Sequence, residues 1–331
     1  EALDDKGPIV AALYALKAVK DAGILPKRRI RLIIGTDEES GSGDMKRYKE
    51  TEELPRYAFT PDAYFPVINS EKGMIVFKIE KELTGTDQSR LVSASGGLAV
   101  NQVPDKAQLT VKLNGRTVSV KNTRGRSAHG STPEIGINAI DNVFEIAGGS
   151  GSYAEYPKEL REFMEFYIKY LHGDTRGVKI GVDYRDETLG DVTLNVGILS
   201  GGEKSISVLV DYRHPANMDC NPCLKKIEGI CEKEGMKFSV IKQKSGLYFS
   251  QSHELVKTLT DVYEEETGFR LEPKSMGGGT YAKSLPNTVA FGPVFPGSED
   301  TMHQANEYVR KKDLFSAGRI YAKAMLRLAD L

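Results

Sequence analysis

Asp4, Glu38, Glu39, Asp62 and His303 each stand in a short polar turn between apolar runs. Asp62 follows Thr60-Pro61, and His303 sits in Asp300-Thr301-Met302-His303-Gln304, after the glycine- and proline-rich stretch from Phe291 to Gly297. Carboxylates and imidazole are the usual non-thiol ligands of a catalytic zinc. Two such ions, held about 3.5–4 Å apart, can share a hydroxide and polarise a carbonyl. Taken singly, each residue says little. Neighbouring acids ordinarily form a solvated loop, and an isolated histidine does no chemistry without partners. Glu38 and Glu39 point to opposite faces if they continue a strand. At a strand's end, one can ligate a metal while the other faces a water.

Elements must carry these residues to one place. Ile9 to Ala22 is apolar-periodic, with Pro8 suited to a first helical position and Gly23 and Pro26 suited to a stop. Arg29 to Thr36, centred on Ile30, Leu32, Ile33 and Ile34, predicts a buried strand. Helix then strand is the rhythm of an α/β sheet, and loops past the carboxyl ends of such strands hold ligands. Asp37-Glu38-Glu39 falls in that position. From Met74 to Ser250 the pattern changes to alternating strands. Val192, Leu194, Val196 and Ile198 alternate, and Val208 and Val210 lead into Asp211-Tyr212-Arg213-His214-Pro215. Helices are predicted over Leu160 to Leu171 and Cys223 to Glu234. After Ser252 the α/β style returns: a helix through Val262, Gly277-Gly278-Gly279, a strand from Thr288 to Phe291 and a final helix from Asp313 to Leu328. The reading is a catalytic domain in two parts, 1–73 and 251–331, interrupted by an inserted domain, 74–250.

The 331 residues suit two domains, and 40% hydrophobic with 27% charged residues is ordinary for a globular enzyme. A net charge of −1 gives no footprint for nucleic acid. No run reaches the ~18 apolar residues of a membrane span, and no signal-peptide pattern opens the chain. Cys220, Cys223 and Cys231 are an odd number, against a disulfide framework. They are too few for a four-ligand zinc knuckle. Reduced thiols in a cytoplasmic protein are expected. His172, His214 and His253 lack a supporting motif and are read as structural. Gly277-Gly278-Gly279 has no G-K-[ST] after it, so it is not a nucleotide loop.

Eight stretches, in order along nearly the whole chain, carry a family resemblance: DDKGP (4–8), GTDEESGSGD (35–44), TPDAYFPVINSEKG (60–73), NQVPDKA (101–107), GRSAHGSTPEIGINA (125–139), VDYRHP (210–215), GGGTYA (277–282) and FPGSEDTMHQANEY (295–308). The sequence resembles the co-catalytic zinc peptidases, which include carnosinases, aminoacylases and succinyl-diaminopimelate desuccinylases, and within them the PepV-type bacterial dipeptidases. The resemblance implies an α/β, phosphorylase/hydrolase-like zinc peptidase domain interrupted by an α+β lid domain. It implies two divalent metal ions per chain, zinc first, with manganese and cobalt suited to the same donors. By this resemblance Asp4 bridges both metals and is followed by a cis peptide to Asp5. Glu39 and His303 bind one ion and Asp62 the other. Glu38 is the general base and His129 stabilises the oxyanion. Asn101 binds substrate. Arg213 clamps the terminal carboxylate, as a bidentate guanidinium can, or else forms a structural salt bridge. Backbone amides at Gly277, Gly278, Gly279 and Thr280 help hold that carboxylate.

The expected activity is hydrolysis of short peptides with a free C-terminal carboxylate, in a monomer with no nucleic-acid or membrane partner. Deacylation of N-acyl amino acids, or binding without catalysis on a retained fold, are the alternatives. In the family an H-x-D metal histidine lies upstream of the bridging aspartate. Residues 1–3 hold none, so the sequence is expected to be part of a longer protein. The stretch Asp105 to Gly125 is also shorter than in PepV-type relatives, which carry a helix there.

Overall fold

The computed structural model describes residues 2–39, 41–149, 153–302 and 306–331. The chain divides into two compact units, Glu1–Glu71 with Leu247–Leu331, and Lys72–Gly246.

The first unit contains α1 (Gly7–Asp21), α2 (Gly43–Thr51) and the strands β1 (Ala58–Thr60), β2 (Ala63–Tyr64) and β3 (Ile68–Glu71) before the second unit begins. After it come β11 (Leu247–Tyr248), α6 (Glu254–Thr267), β12 (Lys274–Met276), β13 (Thr288–Ala290), β14 (Pro293–Val294) and α7 (Lys311–Asp330). The main sheet runs β1, β13, β3, β11, with β12 also on β3; β2 pairs with β14 alone. Pro8 falls in the first turn of α1, where its missing N–H costs nothing. Ala11, Ala12 and Ala15 bury one side of α1 in a core shared with Ile320, Tyr321 and Ala324 of α7 and Leu255, Leu259 and Val262 of α6. Small residues on α1 let α7 approach closely; a Cβ on Gly318 would stand 3.7 Å from the Ala11 carbonyl. Phe65 sits at the centre, edge-on to Phe291 at 5.0 Å and against Phe295 at 4.7 Å.

The predicted strand over Arg29 to Thr36 is corrected: the segment has no regular secondary structure and belongs to no sheet. It is not buried either: Ile30 and Leu32 are partly buried against the core, while Ile34 is exposed. A strand needs a neighbouring edge to satisfy its amides, and this segment makes no ladder with β1, the terminal strand of the sheet. An apolar run marks contact with the core, but neither full burial nor strand pairing follows from it.

The second unit contains β4 (Gly73–Glu82), β5 (Arg90–Gly96), β6 (Ala107–Leu113), β7 (Arg116–Asn122), α3 (Ala139–Gly148), α4 (Lys158–Tyr170), β8 (Thr193–Gly201), β9 (Ser205–His214), α5 (Asn221–Lys233) and β10 (Lys237–Lys244). Its seven strands form one antiparallel sheet in the order β10, β4, β9, β8, β5, β6, β7. Helices α3, α4 and α5 share one apolar core with it, built on Phe77, Phe144, Phe163, Tyr167 and Ile227. The short stretch after Asp105 is a β-hairpin. Asn114 and Gly115, at φ 48° and 81°, make the two-residue turn between β6 and β7.

Candidate functional site

Three acid-bearing segments of the first unit line one cavity of about 1130 Å³. Asp4 and Asp5 enter it just before α1, Glu38 and Glu39 follow the 29–36 segment, and Asp62 follows β1. The peptide between Asp4 and Asp5 is cis, as the resemblance implied. The amides of Leu3 and Asp4 donate to Glu307 Oε1, at 2.5 and 3.0 Å, which ties the start of the chain to the loop before α7. Asp62 is fixed from both sides: the Phe291 amide donates to the Thr60 carbonyl at 2.9 Å, and the Ala63 amide to the Gly292 carbonyl at 2.6 Å. His303 lies outside the described residues. The ends of its loop are joined where Thr301 Oγ1 donates to the Tyr308 carbonyl at 2.9 Å.

The carboxylates feel one another. Burial first, then the charges of Asp5, Asp4, Glu38 and Glu39, push the Asp62 carboxyl up to about 9. Burial, Asp4 and Glu38 raise Asp5 to about 8. A group of acids held at this mutual cost is a donor set awaiting positive charge. Asp5 Oδ1 and the Tyr321 hydroxyl are both buried without a hydrogen-bond partner. Among the described residues, no three His, Cys, Asp or Glu side chains already stand together as a closed ligand set. The chemistry of the donors fits a divalent cation, since oxygen ligands suit zinc, manganese and related ions.

A profile described as Peptidase family M20/M25/M40 matches residues 2–327. The chain belongs to the peptidase family M20/M25/M40. Members of this family are metal-dependent hydrolases. This M20 chain is 36% identical over 356 residues to a protein of Staphylococcus haemolyticus that carries a dipeptidase name, covering 98% of this chain and 75% of the relative. It is 37% identical over 360 residues to YtjP of Bacillus subtilis, also named as a dipeptidase, covering 99% and 75%. Among solved structures, a tripeptidase from Staphylococcus aureus aligns with a TM-score of 0.59 at 16% identity, over 99% of this chain and 72% of that one. Human carnosine dipeptidase 1 aligns at 0.55 and 13%, over 100% and 72%. These distant structures share the α/β fold of the M20 peptidases.

The other expected site residues divide between the units. In the second unit, His129 is exposed, and its Nδ1 accepts the Ser131 amide at 3.3 Å. The same Nδ1 lies 2.6 Å from Ser131 Oγ, so Ser131 orients the ring and leaves Nε2 as the nitrogen turned away from this turn. The Gly130 amide donates to the Asn101 carbonyl at 2.7 Å, so Asn101 and the His129 turn are one backbone assembly. Arg213, 6% exposed near the end of β9, does form a salt bridge: its Nε and Nη2 donate to Asp211 Oδ2 at 3.1 and 3.0 Å. A structural pair and a substrate clamp are compatible, since a guanidinium has five donors.

In the first unit, Gly278 and Gly279 are partly or fully open to solvent, but Thr280 is turned away. The Thr280 amide and hydroxyl donate to Glu71, at 3.0 and 2.6 Å. The expectation that Thr280 offers its amide to substrate is corrected: both its donors are consumed in supporting the loop. Sequence reasoning missed Asp5, Glu71, Asp44 and Tyr281. All four stood in the motif stretches, but nothing in their spacing said which partner each would meet.

Glu71 yields a pH prediction. Burial raises its carboxyl above the ordinary 4.5, with Lys283 and Thr280 opposing. The folded state therefore holds this proton more tightly than the unfolded state. The stability it contributes is complete below 4.5 and is lost as pH rises through the raised folded value. Glu71→Gln has no such titration. Thermal melts across pH should show the variant gaining on the wild type as pH rises from acid to neutral; parallel curves would refute the shift.

Outside the site, the remaining histidines have structural partners. His253 Nδ1 accepts the Leu255 amide at the start of α6, and His214 lies stacked on Tyr212. Cys220, Cys223 and Cys231 are free thiols. No helix among the described residues is long and apolar enough to cross a membrane.

Proposed function

We propose that this chain is a metal-dependent dipeptidase that cleaves short peptides bearing a free C-terminal carboxylate. The single observation that carries the reading is the convergence of Asp4, Asp5, Glu38, Glu39 and Asp62 on one cavity of the first unit. Its dipeptidase-named relatives, matched along almost the whole chain, support the substrate class. Asp4, Glu39, Asp62 and His303 are the proposed ligands of two divalent cations, zinc first. Bound there, such ions polarise a scissile carbonyl and acidify a water.

The chain's own residues do the rest. Glu38 takes the proton from the attacking water and returns it to the leaving amine, the double duty of a positioned carboxylate. His129 donates from Nε2 to the developing oxyanion. Arg213 pairs with the substrate's terminal carboxylate, and Asn101 and the amides of Gly278 and Gly279 add hydrogen bonds. Recognition of a terminal charge favours substrates that end in a free carboxylate. The acting species in this proposal is a cytoplasmic monomer, a location in which the three thiols stay reduced.

Side-by-side kinetics test the reading. Dipeptides should be hydrolysed with higher kcat/KM than N-acetyl amino acids. Amidating the dipeptide's C-terminus should cost ~10- to 100-fold, the value of a hydrogen bond to a charged group. N-acetyl amino acids turning over faster than every dipeptide tested would make the enzyme a deacylase instead.

A further inference from the structure

The segment from Arg29 to Glu39, which carries Glu38, has no helix or strand of its own. Something else must hold it. The Asp44 carboxylate, at the start of α2, accepts the Thr36 amide at 2.7 Å and the Asp37 amide at 3.1 Å through Oδ2. Its Oδ1 accepts the Met45 amide at 2.7 Å. The Tyr281 hydroxyl donates to the same Oδ2 at 2.6 Å and accepts the Asp37 amide at 3.1 Å. Asp37 in turn accepts the Gly43 amide at 2.6 Å. Two successive amides, directly ahead of Glu38, are thus held by a carboxylate and a phenol.

Tyr281 is itself held firmly. Its neighbour Thr280 is buried and bonded to Glu71 of β3, and Thr280 Oγ1 accepts the Ala282 amide at 3.1 Å, capping the turn. The close fit explains Gly35. A Cβ there would lie 2.2 Å from the Tyr281 hydroxyl and 2.7 Å from Asp44 Oδ2. Burial alone would raise the Asp44 carboxyl, but the hydrogen bonds from Tyr281, Thr36, Met45 and Asp37 hold it below the ordinary range. It is a charged acceptor, and charge-assisted bonds are about twice as strong as neutral ones.

We propose that Tyr281 and Asp44 are positioning residues: together they latch the Thr36–Asp37 backbone and so aim the Glu38 carboxylate. This rests on the reading of Glu38 as the base. Neither side chain needs to touch substrate. The glycine-rich 277–279 run and the acidic loop, far apart in sequence, become one mechanical unit through the Thr280-Tyr281 pair.

Tyr281→Phe removes one oxygen and little volume. With alanyl-alanine as substrate, kcat should fall ~100-fold, the order expected for an ångström-scale misplacement of a catalytic group. KM should stay near the wild-type value, because substrate affinity is not what the latch supplies. The melting temperature should remain close to wild type. Amide hydrogen exchange at Thr36 and Asp37 should speed up. Asp44→Asn, which keeps a carbonyl acceptor, should retain more turnover than Asp44→Ala. Turnover within about twofold of wild type in Tyr281→Phe would overturn the proposal, whatever the exchange rates show, since the predicted loss rests on positioning. So would lost turnover with Thr36 and Asp37 still protected. Glu38→Gln, assayed in parallel, separates the two ideas: if it keeps its turnover, the base reading fails on its own account.

Discussion

Glu38→Gln is expected to lower kcat by ~10²- to 10⁴-fold, the range contributed by a positioned acid–base group. Glutamine keeps the shape and hydrogen-bonding reach of the side chain but cannot take a proton. The residue sits where such a loss matters. It lines the carboxylate cavity, and its charge reaches both Asp5 and Asp62 strongly enough to help raise their protonation. Its backbone is approached through Thr36 and Asp37, whose amides are held by Asp44 and Tyr281. Glu38 is not a proposed metal ligand, so metal content by emission spectroscopy should match the wild type. Glu38→Asp should do better than Gln yet remain impaired, since one methylene withdraws the carboxylate by about an ångström and costs ~100-fold. Metal-loaded Glu38→Gln with more than about a tenth of wild-type turnover would remove Glu38 from the base role.

How much of this was legible without coordinates depends on which physics each residue obeys. Pro8 ahead of an apolar-periodic run is a local signal, and α1 forms there. Asp4, Glu38, Glu39 and Asp62 were found by residue type and turn context, and they do line one cavity. The 29–36 segment shows the limit of pattern: an apolar run was visible, but burial and strand pairing are non-local properties, and Ile34 stands exposed. The Asn114-Gly115 turn is a local signal that sequence reasoning left unused: the stretch was read only as shorter than in PepV-type relatives, and it closes as a two-residue hairpin. Thr280 was assigned to substrate because glycines precede it, and it instead spends its donors on Glu71 across 209 positions of sequence. Partners that distant leave no spacing to read. The same holds for Tyr281 and Asp44, separated by 237.

Asp211→Ala should be among the most destabilising single changes in the second unit, by ~3–5 kcal/mol, because it breaks a buried ion pair from one side only. Asp211 is 0% exposed and Arg213 6%, and both lie on β9 in the middle of the seven-stranded sheet. Removing the carboxylate takes the acceptor from the Nε and Nη2 of a guanidinium that cannot shed its proton. It also opens a void beside Gly130, where an added Cβ would lie 2.6 Å from Asp211 Oδ2. For a unit of this size the loss corresponds to a fall in melting temperature of roughly 6–20 °C, at ~2–4 °C per kcal/mol. Burial also raises the Asp211 carboxyl, with Arg213 opposing, so the pair carries a desolvation cost that the double variant escapes. Asp211→Ala with Arg213→Met should therefore recover much of the stability lost by Asp211→Ala alone, since replacing a buried pair with apolar groups is often neutral. A thermodynamic cycle across the four proteins isolates this coupling. Additivity of the two single effects to within about 0.5 kcal/mol would show that Asp211 and Arg213 are neighbours without being partners. The geometry requires the opposite, and a clamp for a substrate carboxylate requires it too: an arginine is useful there only if something behind it fixes the plane of its guanidinium.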